Sequence, residues 1–147
     1  MVIKRRTSLK EIERTGIEIS GLVTSQLLIN IFEHNTPLHD GAVVIRGNRV
    51  AAATCYLPLS DNMSINKALG TRHRAAVGVS EATDSVTLVV SEETGRVSVA
   101  VSGRLKSVKD GDELRDMLSV LVKRETENTG RFRIWKGRRR NERKADE

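Results

Sequence analysis

Three short polar clusters punctuate otherwise apolar stretches of this 147-residue chain: His39-Asp40-Gly41-Ala42, Thr71-Arg72-His73-Arg74 and Ser91-Glu92-Glu93-Thr94. Between them they hold carboxylates and imidazoles suited to a divalent cation, guanidinium forks suited to phosphate charge, and hydroxyls for close contacts. Glycine adds a place where backbone N–H groups can approach a phosphate with no Cβ in the way. The chemistry that uses all of these parts is phosphoryl transfer. Each cluster alone also has a plain reading: Asp40 capping an amide in a turn, arginines on a solvated helix start, and SEETG as a hairpin turn. Two physical points weigh the other way. His39 and Asp40 sit at the mouth of the apolar run AVVI, where ionisable groups need water, a partner or a ligand to offset desolvation. Cations in a first helical turn oppose the macrodipole, and a bound phosphate removes that conflict while using the free N–H groups. The chain has no GxxxxGK[ST] loop, GxGxxG fingerprint, HExxH helix or EF-hand loop, so any site is built otherwise.

The elements that must position these clusters follow from periodicity. Residues 42–46 and 49–57 read as two strands joined by the Gly47-Asn48 turn. After Gly70, the spacing of Ala75, Ala76 and Val79 predicts a short helix with Arg72, His73 and Arg74 in its first turn. Residues 84–90 and the alternating VSVAVSG form a second hairpin around SEETGR. Leu27, Leu28, Ile31 and Phe32 predict a helix over 22–33 with Ser20 as its cap, ended by Asn35-Thr36-Pro37. Residues 2–5 read as a strand, and Asp110 with Glu113 forms a capping box before Leu114, Met117, Leu118, Leu121 and Val122. Strands interleaved with helices give an α/β class: a mixed central sheet flanked by helices in one globular domain.

Composition narrows the setting. Aromatic residues make up only 3% of the chain, so the core is aliphatic. The lone Cys55, in the apolar run AAATCYLPL, can form neither an internal disulfide nor a cysteine-based zinc site and reads as a small buried hydrophobe in a reducing compartment. The longest largely apolar stretch, 19–32, is too short and too polar to span a bilayer. The net charge of +6 is concentrated in residues 131–147, which carry +5, leaving the folded body nearly neutral. We therefore expect a domain over 1–130 and a flexible basic tail over 131–147. Short basic runs of that kind are usually solvated termini, so no nucleic-acid partner is expected.

The segments PLHDGAVVI, LGTRHRAAVGVSEATDSVTLVVSEETG and VSVA resemble the catalytic domain of bacterial diadenylate cyclases, most closely the membrane-associated class. The resemblance implies the diadenylate cyclase fold and a reaction that joins two ATP molecules into cyclic di-AMP with release of two pyrophosphates. It places Asp40, Gly41 and Ala42 as the DGA motif and Arg72, His73 and Arg74 as the RHR motif. It also implies His39 and Glu93 as ligands of Mn2+ or Mg2+, Ser91 and Glu92 near the phosphates, and Tyr56, Leu57 and Thr71 around the nucleotide. Physical demand agrees. A ribose 3′-hydroxyl needs a base, for which Asp40 is the candidate, and Arg72 and Arg74 suit the charge on the attacked phosphate. A domain of this size holds one ATP, and each hydroxyl must attack the other nucleotide, so two copies must meet face to face as a homodimer.

Members of the membrane-associated class carry transmembrane helices and a further helix ahead of this domain. By that likeness the chain is expected to be a catalytic fragment of a protein anchored at the cytoplasmic face of the bacterial membrane, with part of its sheet uncovered. The competing reading is a non-catalytic module that binds adenine nucleotides or cyclic dinucleotides in the same pocket. Nucleic-acid binding through the tail ranks third, and predicts a steep salt dependence that deleting 131–147 abolishes.

Overall fold

The structure is a computed structural model that describes residues 1–121. The Gly47-Asn48 turn joins β3 (Ala42–Arg46) to β4 (Arg49–Cys55) in antiparallel pairing, with Gly47 at φ 62° supplying the left-handed backbone that a two-residue turn requires. β1 (Val2–Ile3), β2 (Ile17–Leu22), β5 (Val86–Val90), β6 (Val97–Val101) and β7 (Arg104–Val108) complete a seven-stranded sheet of order β2-β4-β3-β1-β5-β6-β7. Two-residue β1 is the central splice: it runs parallel to β3 and antiparallel to β5, which makes the sheet mixed. Val2 and Val44, paired there, are fully buried.

Alternation along the strands sends side chains to both faces, and helices cover them. On one face Val44, Ala52 and Cys55 pack with Leu9 and Ile12 of the α1 region (helix Lys10–Glu13) and Val79 of α3 (Thr71–Ala82). On the other, Val43, Ile45 and Ala53 pack with Leu27, Leu28 and Ile31 of α2 (Ser25–Phe32). Farther along the sheet Ala76 of α3 meets Val89 and Ala100. At the opposite margin, edge strand β2 leaves Ile17 and Leu22 about half exposed.

Several sequence expectations change here. The helix expected over 22–33 begins at Ser25, capped by Thr24, whose hydroxyl accepts the Leu27 N–H at 3.1 Å. Ser20 is not its cap: it lies in β2 at φ 51°, within a register shift against β4, where its backbone runs as strand. Strand 2–5 contracts to Val2–Ile3, β4 stops at Cys55, and β2, β7 and the single turn α1 are additions to the elements expected from the sequence. Removing the hydroxyl in Thr24→Ala is expected to cost about 1 kcal/mol, measured by chemical denaturation.

Asp84 ties the segment after β1 to the end of α3. Its carboxylate accepts the Arg6 and Thr7 N–H groups, both at 3.0 Å. Burial raises its pKa, but those N–H groups, the Thr7 hydroxyl and the charge of Arg5 outweigh that and hold it below the ordinary 3.8. A depressed folded pKa gives stability that is present above the unfolded value and lost as pH falls through the folded one. Acid titration of the wild type should therefore show a stability loss below about pH 4 that Asp84→Asn lacks.

Contacts divide the chain after Ser107. In the second unit the residues over 111–121 are helical, and Asp110 accepts the Glu113 N–H at 2.8 Å while Glu113 accepts the Lys109 N–H at 2.7 Å. Val122, the expected boundary at 130 and the basic tail 131–147 lie outside the described residues.

Candidate active site

Among the described residues no side chain caps the start of α3. Gly70, at the N-cap, offers no side chain, and the first turn's free N–H groups belong to Thr71, Arg72 and His73. The Arg74 N–H returns to the Gly70 carbonyl at 3.3 Å. Such a helix start is a ready anion site, and two arginines stand in it. Arg72 is ion-paired with Glu92 of the β5–β6 turn. Both side chains are about half exposed or more, so the pair adds little stability. Its consequence is geometric, because it brings the RHR and SEET clusters together. His73, only 5% exposed, lines a cleft of about 610 Å3 with Ser91 and Glu93. Burial holds its pKa below the usual imidazole value, so it is neutral at pH 7 and the positive charge comes from the arginines.

Arg74 is fixed from the side. Its guanidinium donates to the Ser60 carbonyl at 3.4 Å, and its own carbonyl accepts the Ser60 N–H at 3.0 Å. Ser60 also donates its hydroxyl to Glu81 at 2.8 Å, fastening the strap Pro58-Leu59-Ser60 along α3. Gly78 makes that approach feasible, since a Cβ there would lie 2.0 Å from the Pro58 carbonyl oxygen.

The DGA cluster lies where β3 meets the end of β4. Ala42 pairs with Cys55 beside a register shift, and Thr54 takes φ 54°. Gly41, at φ 89°, lies so close to Thr54 that a Cβ would come within 2.9 Å of its backbone. Asp40 is exposed, and its carboxylate accepts the Gly41 N–H at 3.0 Å. Neighbouring Tyr56 is 76% exposed, an open aromatic face, while Leu57 packs into the same cluster as Val79 of α3. Among the described residues no hydrogen bond or ion pair joins Asp40 or His39 to the α3 start or the SEET turn. The thiol of Cys55 is buried and pushed up to about 11 by burial and by the Glu13 carboxylate, which leaves it inert as expected.

His39 is half-buried, with Nδ1 2.6 Å from the Thr36 carbonyl and its ring edge-on to His34 at 5.6 Å. A carbonyl only accepts, so Nδ1 carries the proton and Nε2 keeps the lone pair that a metal would use. No group of three His, Cys, Asp or Glu that could hold a metal occurs among the described residues. His39 and Glu93 therefore form no closed cage. Their donor types fit a divalent cation that takes its remaining ligands from phosphate oxygens and water, as Mg2+ habitually does.

Sequence reasoning missed the strap residue Ser60 and the cleft residues Arg96, Ser98, Asn62 and Asn66. Gly78, isolated in an otherwise helical run, was the one available signal of close backbone packing.

An α/β domain whose helix start meets a hydroxyl-bearing turn through Arg72 and Glu92, beside a cleft lined by His73, Ser91 and Glu93, presents groups of the kind that bind phosphate. The family model described as "DisA bacterial checkpoint controller nucleotide-binding" (DAC) matches residues 1–105, and the chain belongs to that family. It is 51% identical over 140 residues to the cyclic di-AMP synthase CdaA of Bacillus subtilis, covering 95% of this chain and 51% of that protein. It is 49% identical over 136 residues to a diadenylate cyclase of Listeria monocytogenes, covering 92% and 50%. The chain thus spans about half the length of these relatives. Among solved structures, a double mutant of DacA from Staphylococcus aureus superposes with a TM-score of 0.78 at 47% identity, covering 80% of this chain and 79% of that one. A hypothetical membrane spanning protein from Bacillus cereus gives 0.72 at 43% identity, covering 74% and 53%.

Proposed function

We propose that this chain is the catalytic domain of a diadenylate cyclase, joining two ATP molecules into cyclic di-AMP with release of two pyrophosphates. The names of relatives at about half identity support this reading. The observation that carries it is the convergence of the α3 start with the SEET turn, through Arg72 and Glu92 and around the cleft lined by His73, Ser91 and Glu93.

In this reading Tyr56 and Leu57 hold the adenine, Gly41 and Ala42 let the nucleotide lie close to the backbone, and Thr71, His73, Ser91 and Glu92 surround the phosphates. Asp40 accepts the proton of the ribose 3′-hydroxyl. The oxygen then bonds to the α-phosphorus of the other nucleotide. The bond from that phosphorus to the bridging oxygen breaks, and its electron pair leaves with pyrophosphate. Arg72 and Arg74 hold the charge that develops. A Mn2+ or Mg2+ ion, bound through His39 and Glu93, would supply positive charge against the triphosphate oxygens. Each Asp40 serves a hydroxyl aimed at the partner's nucleotide, so the active unit is a face-to-face homodimer and a lone copy binds ATP without cyclising it. We place the full-length protein at the cytoplasmic face of the membrane through helices ahead of this domain, a reading supported by the similarity to the hypothetical membrane spanning protein of Bacillus cereus. Among the described residues no helix is long and apolar enough to cross a membrane.

Incubation with ATP and Mn2+, followed by mass spectrometry, tests the function. Cyclic di-AMP is expected, at a rate per protomer that rises with protein concentration. ATP binding with no product at any concentration would favour the non-catalytic module.

A further inference from the structure

We propose that Arg96 grips the pyrophosphate half of the bound nucleotide, making the cleft beside α3 the seat of the leaving group. This rests on the cyclase reading and assigns a residue outside the DGA, RHR and SEET clusters. Arg96 lines the cleft, and its guanidinium has no ion pair or hydrogen bond among the described residues, whereas Arg72 is paired with Glu92 and Arg74 with the Ser60 carbonyl. Its backbone is nevertheless fixed. The Arg96 N–H donates to the Thr94 hydroxyl at 3.3 Å, and its carbonyl accepts the Ser91 N–H at 2.9 Å. A charged fork on an anchored turn that lines a cleft, with no partner among the described residues, suits an anionic ligand.

The rest of the lining agrees. His73, 95% buried and with no side-chain hydrogen bond among the described residues, borders the same cleft, as do the hydroxyl-bearing residues Ser91, Thr94 and Ser98. These are hydrogen-bonding groups suited to phosphate oxygens, while the exposed aromatic ring suited to a base, Tyr56, is not part of this lining. Among the described residues Glu93 is the one carboxylate in the lining. It opposes a bare anion, so the ligand that fits is pyrophosphate accompanied by its divalent cation.

Calorimetric titration of the whole chain, in Mn2+, with pyrophosphate, α,β-methylene-ATP and AMP separates the possibilities. Arg96→Gln is expected to weaken the first two by about tenfold or more and AMP by less than about twofold, because only AMP lacks the pyrophosphate half. Arg96→Lys, which keeps the charge but not the fork, should recover part of the loss. Equal losses for all three ligands, or no loss for any, would overturn the assignment. A wild-type chain that binds neither the ATP analogue nor AMP would instead count against the cyclase reading itself. Arg96 is exposed and its guanidinium makes no hydrogen bond or ion pair among the described residues, so the variants are expected to fold, with unchanged melting temperatures as the check.

Discussion

Asp40→Asn is expected to lower cyclic di-AMP synthesis by about a hundred- to ten-thousand-fold, the usual worth of a positioned general base. The change is nearly isosteric. Its amide oxygen can still accept the Gly41 N–H that Asp40 accepts at 3.0 Å, so the turn keeps its one side-chain bond. Asp40 is exposed, and stability should move by no more than about 0.5 kcal/mol. ATP binding should also survive, because the arginines, the helix start and Tyr56 are untouched. Quantifying product by mass spectrometry, with a melting curve and an ATP-analogue titration on the same sample, checks all three. Full activity in the variant would remove Asp40 from the reaction.

The second large effect is structural. Gly78→Ala places a methyl 2.0 Å from the Pro58 carbonyl oxygen and 2.8 Å from the Ser60 nitrogen. Both obstacles are backbone, so no side chain can swing aside to make room. The strap must lift off α3, and it takes with it the Ser60 N–H bond to the Arg74 carbonyl and the contact to the Arg74 guanidinium. Overpacking of this kind costs about 3 kcal/mol, against which alanine's better helix propensity returns about 1 kcal/mol. For a chain of this length the net loss lowers the melting temperature by roughly 5–10 °C. Cyclase activity should fall as well, since Arg74 loses its lateral support. Gly78→Ala that melts with the wild type would show that strap and helix are not in contact.

Legibility in the sequence followed the strength of local pattern. The Gly47-Asn48 hairpin, α3 and the β5–β6 hairpin were readable because turn residues and periodicity coincide in them. Strand β2 was not, because the alternation of IEIS lasts only four residues before the bulge at Ser20-Gly21 breaks the period; the same serine looked like a cap for α2, a role that Thr24 fills. Strand β7, RLKSV, interleaves charge with small apolar residues and gives no periodic signal that a buried strand would. At the site, residue types alone pointed to phosphate chemistry, and the family likeness supplied the roles. The Arg72–Glu92 pairing and the approach of His73 to Ser91 and Glu93 depend on contacts between segments about twenty residues apart, which no local rule gives. Arg96 and Ser98 were overlooked because their part is set by the cleft, and the cleft exists only once α3, the 62–69 loop and β7 are assembled around it.

The most direct measurement is a crystal structure of the chain with α,β-methylene-ATP and Mn2+. The triphosphate should lie across the start of α3, with its oxygens within hydrogen-bonding distance of the Thr71–Arg74 turn and of Ser91, its terminal phosphates toward Arg96, and its ribose 3′-hydroxyl exposed toward a second copy. A nucleotide seated elsewhere, with the α3 start and the SEET turn facing solvent, would contradict the account.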